Sequence, residues 1–515
     1  MTDVLLGQGY YLRFDPKLWA AMEPYPPLGT LYAAAVLRRA GFEVAFFDAM
    51  LAESEREWAA ALDRERPRWA VIYEDNFNYL TKMCLLRMRE AALAMIDMAR
   101  ARGVGVVVAG SDATDNPELY LGRGAEVVIC GEGERALVEV ATSLQRGDAG
   151  ALGRVRGIAL ADPDRPEGVR RTAPAVPMAD LDALPLPAWD LVDLARYREI
   201  WRRRHGRFSV NMVTTRGCPY HCNWCAKPLW GQRYAVRSAG AVVDELEVLV
   251  RGHGAEHLWF MDDIFGLEPG WLDDFARLVE ARGLRTPFKC LSRPDLMLRE
   301  GTVAALARAG CEVVWMGAES GSQKVLDAME KGPTVEQIAD AARGLRAAGI
   351  RAAFFVQFGY PGETREDVEA TLRMIRDCRP DDVGMSVSYP LPGTPFYERV
   401  RSSLGAKDPW VDSDDLAMMY RGPFTTDFYR QLHTVLHTEL RARLRGRELL
   451  RLAARPWRLR PRHAAQAAGV VARWARLPVE RRRLDRLARS PHDGIGPLPP
   501  GMSHAEAARP SPQPE

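Results

Sequence analysis

The sequence contains no uninterrupted apolar run approaching the roughly 20 residues that a membrane-spanning helix requires. Its first residues lack a basic stretch followed by a long apolar one, so we expect no signal peptide. Lysine and arginine (70) nearly balance aspartate and glutamate (68), and the net charge of +2 gives no overall attraction for nucleic acid or membranes. Eight cysteines in 515 residues fit a reducing cytoplasm rather than a disulfide framework. We therefore expect a cytoplasmic protein of roughly two to four domains that binds no nucleic acid.

The common signatures of proteolytic, hydrolytic and dinucleotide-dependent enzymes are also missing. The chain has no HExxH motif and no recognisable Ser/His/Asp or acid–base set. The GxGxxG fingerprint is absent, because the first suitable loop offers only Gly7-Gln8-Gly9. The chemistry therefore has to come from another group of residues.

That group is Cys218-Pro219-Tyr220-His221-Cys222-Asn223-Trp224-Cys225, in which three and then two residues separate the cysteines. Thiolates are soft ligands that suit Fe–S clusters or zinc. Three thiolates on a four-iron cluster leave one iron open for a small molecule, whereas a closed zinc site needs a fourth ligand. His221 is a candidate for that ligand, so zinc and uncoordinated thiols are the alternatives. The other cysteines are isolated: Cys84, Cys130, Cys290, Cys311 and Cys378.

The first 150 residues alternate between predicted strands and helices. Val104–Ala109 is a continuous apolar run, as expected of a strand buried on both faces. Leu28–Ala40 has helical spacing and ends at Gly41, a usual helix stop. This alternation predicts a doubly wound parallel sheet of the Rossmann or flavodoxin type, which binds ligands beyond the carboxyl ends of its strands. The other predicted elements are strands at Val4–Leu6, Val44–Phe47, Trp69–Tyr73 and Ala125–Cys130, and helices at about Leu80–Arg102 and Arg135–Gln145.

Small and polar residues gather at the predicted carboxyl ends of these strands. Glycines there let the backbone approach a ligand closely, and short polar side chains can form hydrogen bonds to it. A dinucleotide site and ordinary turns are the alternatives. The three groups are Glu74-Asp75-Asn76, Gly110-Ser111-Asp112-Ala113-Thr114 and Gly131-Glu132-Gly133-Glu134.

A second series of β/α units begins with the strand Ser209–Thr214, directly before the cysteines. Six such units predict a partial (β/α)6 barrel that is open on one side, and in β/α barrels the carboxyl ends of the strands carry the active site. The further strands are followed by Asp262-Asp263, Ser292-Arg293, Gly317-Ala318-Glu319-Ser320, Gly359–Thr364 and Ser388–Pro395.

The remainder of the chain is rich in arginine. Asp427–Arg445 has helical spacing, and from Arg441 to Arg489 arginine alternates with apolar residues, which predicts amphipathic helices with solvated arginine faces. Adsorption to an anionic membrane surface is the alternative use of such helices. We expect five parts: residues 1–150, a linker at 151–205, a barrel at 206–400, a helical region at 401–489 and a disordered tail at 490–515.

The cysteine spacing, with an aromatic residue just before the last cysteine, resembles the signature of the radical S-adenosylmethionine (SAM) superfamily. In that family the open iron of a 4Fe–4S cluster chelates SAM, and one electron cleaves SAM to methionine and a 5′-deoxyadenosyl radical. The resemblance covers about residues 205–400. It implies that Cys218, Cys222 and Cys225 bind the cluster and that the SAM contacts come from Tyr220, Trp224, Asp262, Asp263, Ser292, Arg293, Gly317, Glu319, Ser320 and Gly359. For any one of these contacts, a role in a turn or helix cap is the alternative.

Residues 1–150 resemble the cobalamin-binding domain found upstream of many radical SAM enzymes. The resemblance rests on Pro24-Tyr25-Pro26-Pro27-Leu28-Gly29 and on the loops that follow the later strands. Many cobalamin domains ligate cobalt through Asp-x-His-x-x-Gly, but no histidine precedes His205 here, which implies a cobalt without a lower histidine from this domain. The implied cobalamin contacts are Gly29, Glu74, Asp75, Asn76, Gly110, Ser111, Asp112, Thr114, Gly131, Glu132 and Gly133.

Together these resemblances predict a cobalamin-dependent radical SAM enzyme of the class B methyltransferase type. We expect it to methylate an unactivated carbon of a small natural-product or lipid-type substrate, as a monomer, with an external flavodoxin- or ferredoxin-like one-electron reductant. The same cofactors used for cyclisation, rearrangement or oxidation, and a non-catalytic cobalamin- or cluster-binding sensor, are the alternatives. The arginine-rich end adds an expected peripheral contact with a membrane.

Overall fold

The computed structural model describes residues 2–78, 83, 85–165, 168–225, 230, 233–405, 410–454 and 460–489. Two parallel sheets, each flanked by helices, follow one another in the chain, and two long helices come last. The tail predicted from Ser490 lies outside the described residues.

The first sheet has seven strands in the order β2-β1-β3-β4-β5-β6-β7. Its first five strands are parallel, and the order 2-1-3-4-5 is that of a flavodoxin-like doubly wound sheet, which confirms the prediction. Because β1 lies between β2 and β3, the chain reverses its winding direction there, and a crevice opens beyond the ends of β1 and β3. The strands are β1 (Val4–Gly7), β2 (Val44–Phe46), β3 (Trp69–Tyr73), β4 (Gly105–Ala109), β5 (Val127–Ile129), β6 (Ile158–Ala161) and β7 (Val169–Arg171).

The helices of this half lie close to their predicted positions. One of them begins at Leu86, later than predicted, and Leu80 lies outside the described residues. The stretch predicted as a linker, residues 151–205, adds β6 and β7 as antiparallel strands to the first sheet. The main helices are Leu28–Arg39, Arg56–Glu65, Leu86–Arg100, Pro117–Arg123, Glu134–Arg146 and Leu194–His205, with shorter ones at Pro16–Ala21, Ser111–Asp115 and Ala149–Leu152.

The second sheet contains six parallel strands in the order β15-β14-β13-β12-β11-β8, so each strand pairs with the next one along the chain. Among the described residues β8 and β15 do not pair, which confirms a partial barrel of six β/α units. The strands are β8 (Ser209–Met212), β11 (His257–Phe260), β12 (Phe288–Ser292), β13 (Cys311–Glu319), β14 (Arg351–Phe358) and β15 (Asp382–Val387), and a small antiparallel pair, β9 (Thr215–Arg216) and β10 (Ala235–Val236), follows β8.

Alternation along these strands divides the second sheet into two faces. Phe260 and Phe288 point outward and pack edge-on against Phe275 of the helix Trp271–Ala281. The alternate positions point to the concave side. The helices on the outer face are Ala239–Glu247, Trp271–Ala281, Thr302–Ala309, Gln323–Ala328, Val335–Ala347 and Arg365–Cys378, with shorter ones at Pro294–Met297 and Pro395–Val400.

The two halves share one apolar core that includes Tyr32 and Phe77 from the first half and Val213 and Trp230 from the second. The loop before the helix Leu28–Arg39 crosses to the second sheet, where the Tyr25 hydroxyl lies 3.0 Å from Ser209 Oγ. A common core and buried polar contacts of this kind hold the carboxyl edges of the two sheets in a fixed relation.

The last two helices, Thr426–Ala453 and Pro461–Leu487, pack against each other. Arg481 donates to Glu439 at 2.7 Å, and Gln431 donates to Glu480 at 2.8 Å. No helix in the described part of the chain combines the length and apolarity needed to cross a membrane.

The hydroxyl of Tyr197 should stabilise the contact between the helix Leu194–His205 and the first sheet. It is buried and donates to both carboxylate oxygens of Asp48, at 3.0 and 2.9 Å, and burial raises the pKa of Asp48 to about 6. We expect Tyr197→Phe to lower the free energy of unfolding by about 1 to 3 kcal/mol, measured by urea denaturation, because the carboxylate loses its donor. Tyr397→Phe, which removes a half-buried hydroxyl on Pro395–Val400, is the control. Equal losses in both variants would contradict this role.

Candidate functional site

The three clustered cysteines lie in the loop that follows β8 and β9, at the carboxyl edge of the second sheet. Cys218, Cys222 and Cys225 are each half-buried, and none forms a disulfide. Within the described ranges, no three histidine, cysteine or acidic side chains converge on one point that a single ion could occupy. The thiolates of a four-iron cluster bind three different irons and need no such convergence. The donor set therefore fits a cluster better than a mononuclear zinc ion.

Asn223, between the second and third cysteines, anchors this loop to the rest of the barrel. Its side-chain amide donates to the carbonyl of Ala328 at 2.8 Å and accepts from the Tyr360 hydroxyl at 2.8 Å. Its backbone amide donates to the carbonyl of Met329, and its own carbonyl accepts from the amide of Phe396. Sequence reasoning missed this role, because nothing local to the motif indicates which distant segments the loop contacts.

Lys331 places a buried cation beside the cysteine loop. Its ammonium donates to Glu319 at 2.8 Å, and both side chains are almost fully buried. Burial lowers the pKa of Lys331, but Glu319 and the thiolate of Cys222 raise it, and the pKa ends above its ordinary value. A Cβ added to Gly317 would lie 2.6 Å from both charged groups, so glycine makes room for the pair. Of these residues the sequence reasoning named Gly317 and Glu319 but missed Lys331.

Arg293, at the end of β12, also reaches the cysteine loop. Its guanidinium lies 3.5 Å from the ring centre of Tyr220 and is held by Asp295 at 2.9 Å and by the carbonyl of Lys331 at 3.0 Å. The hydroxyl of Ser292 donates to a backbone carbonyl of the preceding loop at 3.3 Å. The structure therefore brings Arg293, Tyr220 and the Lys331–Glu319 pair together around the cysteines.

Asp262 lies below the loop with its carboxylate already engaged. It accepts from the backbone amides of Thr214 and Thr215, both at 2.7 Å, and from both hydroxyls at 2.9 Å. Burial raises the pKa of Asp262 to about 6, although these donors oppose the rise. The structure therefore gives this predicted SAM contact a positioning role for the strand end that leads into the cysteines. Asp263, next to it, is half-buried.

Two of the remaining predicted SAM contacts, Ser320 and Gly359, also have protein partners. The Ser320 hydroxyl lies 3.1 Å from that of Thr371, and the amide of Gly359 donates to Glu363 at 2.7 Å. Gly359 has a φ of 84°, and an added Cβ would lie 3.1 Å from Met418 and from the Tyr429 hydroxyl. Trp224 is half-buried, and its indole nitrogen has no partner.

The predicted cobalamin residues at the end of β3 face the start of the helix Leu28–Arg39. The amide of Gly29 donates to Asp75 at 2.9 Å, and an added Cβ at Gly29 would lie 3.2 Å from Asp75 and from the amide of Asn76. The side-chain oxygen of Asn76 is buried without a partner. Both amide atoms of Gln8, at the end of β1, are likewise buried and unsatisfied.

Glu74 completes this crevice with a carboxyl group that stays neutral. It accepts from the amide of Gly9 at 2.8 Å, while its other oxygen has no partner. Burial raises the pKa of Glu74 to about 8. A Cβ added to Gly110 would lie 2.8 Å from Glu74, and the buried hydroxyl of Ser111 has no partner. Unsatisfied buried polar atoms are rare in folded proteins, and their concentration beyond β1, β3 and β4 fits a crevice completed by a polar ligand such as cobalamin.

Other predicted cobalamin residues have hydrogen-bond partners within the protein. Asp112 accepts two bonds from Arg89, at 2.7 and 2.6 Å, and one from the Tyr120 hydroxyl at 2.6 Å. Thr114 joins two loops, since its hydroxyl donates to the carbonyl of Gly110 at 2.7 Å and accepts from the amide of Gly131 at 3.1 Å. Beside them a cavity of about 280 Å³ opens, lined in part by Thr114, Gly131, Glu132 and the β6–β7 region.

Arg216, two residues before Cys218, connects the two halves of the site. Its guanidinium donates to Glu134 at 2.6 Å and to Glu132, and all three side chains are buried. Glu132 also accepts from the amide of Met178 at 2.6 Å, so both oxygens of this predicted cobalamin contact are engaged. Burial lowers the pKa of Arg216, but Glu134 and Glu132 raise it above its ordinary value. The neighbouring Gly133 has no space for a side chain, because an added Cβ would lie 2.7 Å from the Tyr73 hydroxyl.

Three aromatic rings cover this ion pair and exclude water from it. The guanidinium carbon of Arg216 lies 4.7 Å from the ring centre of Trp230, 5.5 Å from Phe77 and 5.8 Å from Tyr32. Phe77 and Trp230 stack on each other at 5.5 Å. Rings from both halves of the protein therefore enclose a charge that belongs to the cysteine loop.

Comparison with known proteins is consistent with this arrangement. Residues 21–141 match the B12 binding domain, and residues 212–375 match the radical SAM superfamily. An uncharacterised methyltransferase of Pyrococcus horikoshii is 27% identical over 72% of this chain and 78% of its own length. An anaerobic magnesium-protoporphyrin IX monomethyl ester cyclase of Cereibacter sphaeroides is 30% identical over 55% of this chain, which covers 46% of the cyclase. The radical SAM methyltransferase TsrM of Kitasatospora setae has a similar fold, with a TM-score of 0.63, 23% identity and coverage of 79% of this chain and 80% of TsrM.

Removing the charge of Arg216 should destabilise the junction between the two halves. We expect Arg216→Met to lower the free energy of unfolding by about 3 to 5 kcal/mol, because Glu132 and Glu134 would be left buried without a cation. Urea denaturation measures the loss. Arg251→Met, which breaks an exposed pair with Glu247, is the matched control and should change stability by about 1 kcal/mol or less. Restoration of stability by adding Glu132→Gln and Glu134→Gln would support the charge argument, and no restoration would contradict it.

The neutral carboxyl of Glu74 should make stability depend on pH. Its pKa is raised by burial to about 8, so its contribution is fully present below the ordinary pKa of glutamate and is lost as pH rises toward 8. We expect Glu74→Gln, which keeps the shape and stays neutral, to become more stable than the unmodified protein as the pH increases from 5 to 8.5. Thermal denaturation at several pH values measures the difference. A constant difference across that range would contradict the assignment.

Proposed function

The chain belongs to the radical SAM superfamily and carries an N-terminal B12-binding domain, and from this premise we propose that it methylates an unactivated carbon of a small natural-product or lipid-type substrate. Its cofactors are a 4Fe–4S cluster, SAM and cobalamin, as the two domains indicate. When bound, these groups supply one-electron cleavage of SAM and a transferable methyl group. The proposal needs no polar acid–base pair, because hydrogen abstraction from carbon does not require one.

The observation that carries the proposal is the buried Arg216 junction. It ties the cysteine loop to Glu132 and Glu134 at the carboxyl end of the first sheet. The carboxyl edge of the first sheet, which has the unsatisfied polar atoms, therefore faces the carboxyl edge of the second sheet, which carries the cysteine thiols. A methyl group held at one edge and a substrate carbon activated at the other require this adjacency, since transfer needs the reacting groups in near contact.

The two halves of the site bind different cofactors through different residues. We propose that Cys218, Cys222 and Cys225 hold three irons of the cluster. The ammonium of Lys331 holds the carboxylate of Glu319 beside the cysteine loop. In the first half, Gln8 and the residues beyond β3 and β4 offer hydrogen-bonding atoms to cobalamin, and no histidine precedes His205 to ligate its cobalt.

Ring formation with the same cofactors is a second candidate function. Anaerobic magnesium-protoporphyrin IX monomethyl ester cyclases of three organisms are among the relatives of this chain, at 24% to 30% identity. A cyclase and a methyltransferase would use the same cysteines and the same SAM cleavage. They differ in whether the product gains a carbon.

We further propose that an external flavodoxin- or ferredoxin-like protein supplies the electron and that the enzyme acts as a cytoplasmic monomer. The C-terminal helices suit a peripheral membrane contact. Leu450, Val471, Trp474 and Val479 are exposed there among several arginines.

Three measurements on anaerobically reconstituted protein test the proposal. We expect about four irons per chain, release of 5′-deoxyadenosine under reducing conditions, and a product heavier than the substrate by one methylene unit. Cys222→Ala should abolish the cluster and the 5′-deoxyadenosine, whereas Cys378→Ala, on the helix Arg365–Cys378, should retain both. A product without added mass would favour cyclisation or another rearrangement. Bound cofactors without any 5′-deoxyadenosine would indicate a sensor and contradict an enzyme.

A further inference from the structure

The concave face of the second sheet carries accessible aromatic side chains that the chemistry described above does not use. The outward positions of the strands are fully buried against helices, but Trp259, Lys289, Trp315 and Phe355 on the concave side retain exposed surface. Phe355 keeps 36% of its surface exposed inside a barrel, where an apolar side chain without a role would be expected to be covered.

Trp315 and Phe355 form a stacked pair whose outer ring faces offer an apolar surface. Their rings stack with centres 4.6 Å apart and planes inclined by 25°. A Cβ added to Gly384 of β15 would lie 2.9 Å from the ring of Phe355 and 3.5 Å from that of Trp315. Glycine at this position therefore lets the ring of Phe355 lie close against the neighbouring strand β15.

Strand register places this surface directly below the predicted SAM residues. Phe355 pairs with Gly317 of β13, and the Glu319–Lys331 ion pair lies against Gly317. The backbone of the same Lys331 accepts from Arg293, whose guanidinium lies over the ring of Tyr220 in the cysteine loop. A molecule resting on the two rings would therefore lie one layer of side chains beneath the cysteine loop, within reach of a radical formed there.

The lower end of the barrel offers a cation and a hydrogen-bond donor. Lys289 pairs with Val313, and Val313 precedes Trp315 by two residues on β13. Lys289 therefore lies roughly 7 Å below Trp315 along the strand direction. Its ammonium lies 4.3 Å from the ring centre of Trp259 and 5.3 Å from that of Tyr25, which comes from the first half of the protein. It has an ion-pair distance of 3.4 Å to Glu23, and the buried indole nitrogen of Trp259 has no partner.

We propose that this face binds a substrate built on a flat aromatic ring system with a carboxylate at the end remote from the cysteines. The ring system stacks on an outer face of the Trp315–Phe355 pair, and the carboxylate lies between Lys289 and the indole N–H of Trp259. The proposal deepens the proposed function, because it names the substrate class of the same site. Stacking supplies orientation, and the cation at a fixed depth sets which part of the ring reaches the barrel mouth.

Binding of three matched probes to the reconstituted holoprotein tests the proposal by isothermal titration calorimetry. The probes are indole-3-propionate, its neutral amide, and 3-cyclohexylpropionate, which has the same charge and a puckered ring. We expect indole-3-propionate to bind about tenfold more tightly than either of the others. Phe355→Leu should weaken its binding by about threefold to tenfold, and Lys289→Gln should remove the preference for the acid over the amide.

Two further variants separate stacking from general damage to the barrel. Gly384→Ala should weaken indole-3-propionate binding by pushing the ring of Phe355 into the ligand space, and Trp474→Leu, on the exposed face of Pro461–Leu487, should leave binding unchanged. Iron content confirms that each variant is intact. The proposal is overturned if no probe binds to intact holoprotein, if the puckered acid binds as tightly as the flat one, or if Phe355→Leu has no effect. Binding is independent of product mass, so it distinguishes an error in substrate class from an error in the reaction.

Discussion

The buried guanidinium of Arg216 is the interaction on which the arrangement of the site depends. A charge sealed under three aromatic rings is tolerable only with its counter-charges in place, and Glu132 and Glu134 supply them from the other half of the protein. Because Arg216 precedes Cys218 by two residues, satisfying its charge also fixes where the cysteine loop lies relative to the first sheet. One electrostatic requirement thus sets both the contact between the halves and the distance between the two cofactor sites.

Polar residues at the strand ends fall into two groups that differ in whether their hydrogen bonds are complete. Asp112, Thr114, Glu132 and Asp262 are satisfied by neighbouring protein groups, and they hold loops in place. Gln8, Glu74, Asn76 and Ser111 keep buried atoms without partners. A buried polar atom without a hydrogen bond costs about 1 to 3 kcal/mol of stability. The presence of several such atoms at one crevice is therefore best explained by a ligand that supplies their hydrogen bonds.

Properties that depend on local periodicity and spacing could be predicted from the sequence. Alternating apolar runs and helical stretches gave the doubly wound sheet and the six β/α units, with most boundaries within a few residues, since such patterns arise from burial of one strand or helix face. The cysteine spacing identified the cluster motif because thiolate ligation constrains a single short loop. The strand order of the first sheet was not predicted, because alternation does not distinguish the Rossmann order from the flavodoxin-like one that the structure has. The strands β6 and β7 were missed, because Pro- and Asp-rich turns dominate that stretch.

What the polar strand-end residues do was decided only by the tertiary structure. Glu132 and Asp262 remain predicted ligand contacts, and folding brings Arg216 and the Thr214–Thr215 pair to their carboxylate oxygens, which no local pattern indicates. Lys331, Asn223 and Gln8 carried no local signal, since their importance arises from groups far along the chain or from the absence of a partner. The stacking of Trp315 on Phe355 over Gly384 likewise depends on the register of three strands. The sequence by itself determined which elements form and in which loop the three clustered cysteines lie. Packing decided which polar groups are satisfied by protein and which keep buried atoms without partners, because hydrogen-bond and charge pairing depends on distances that local sequence does not encode.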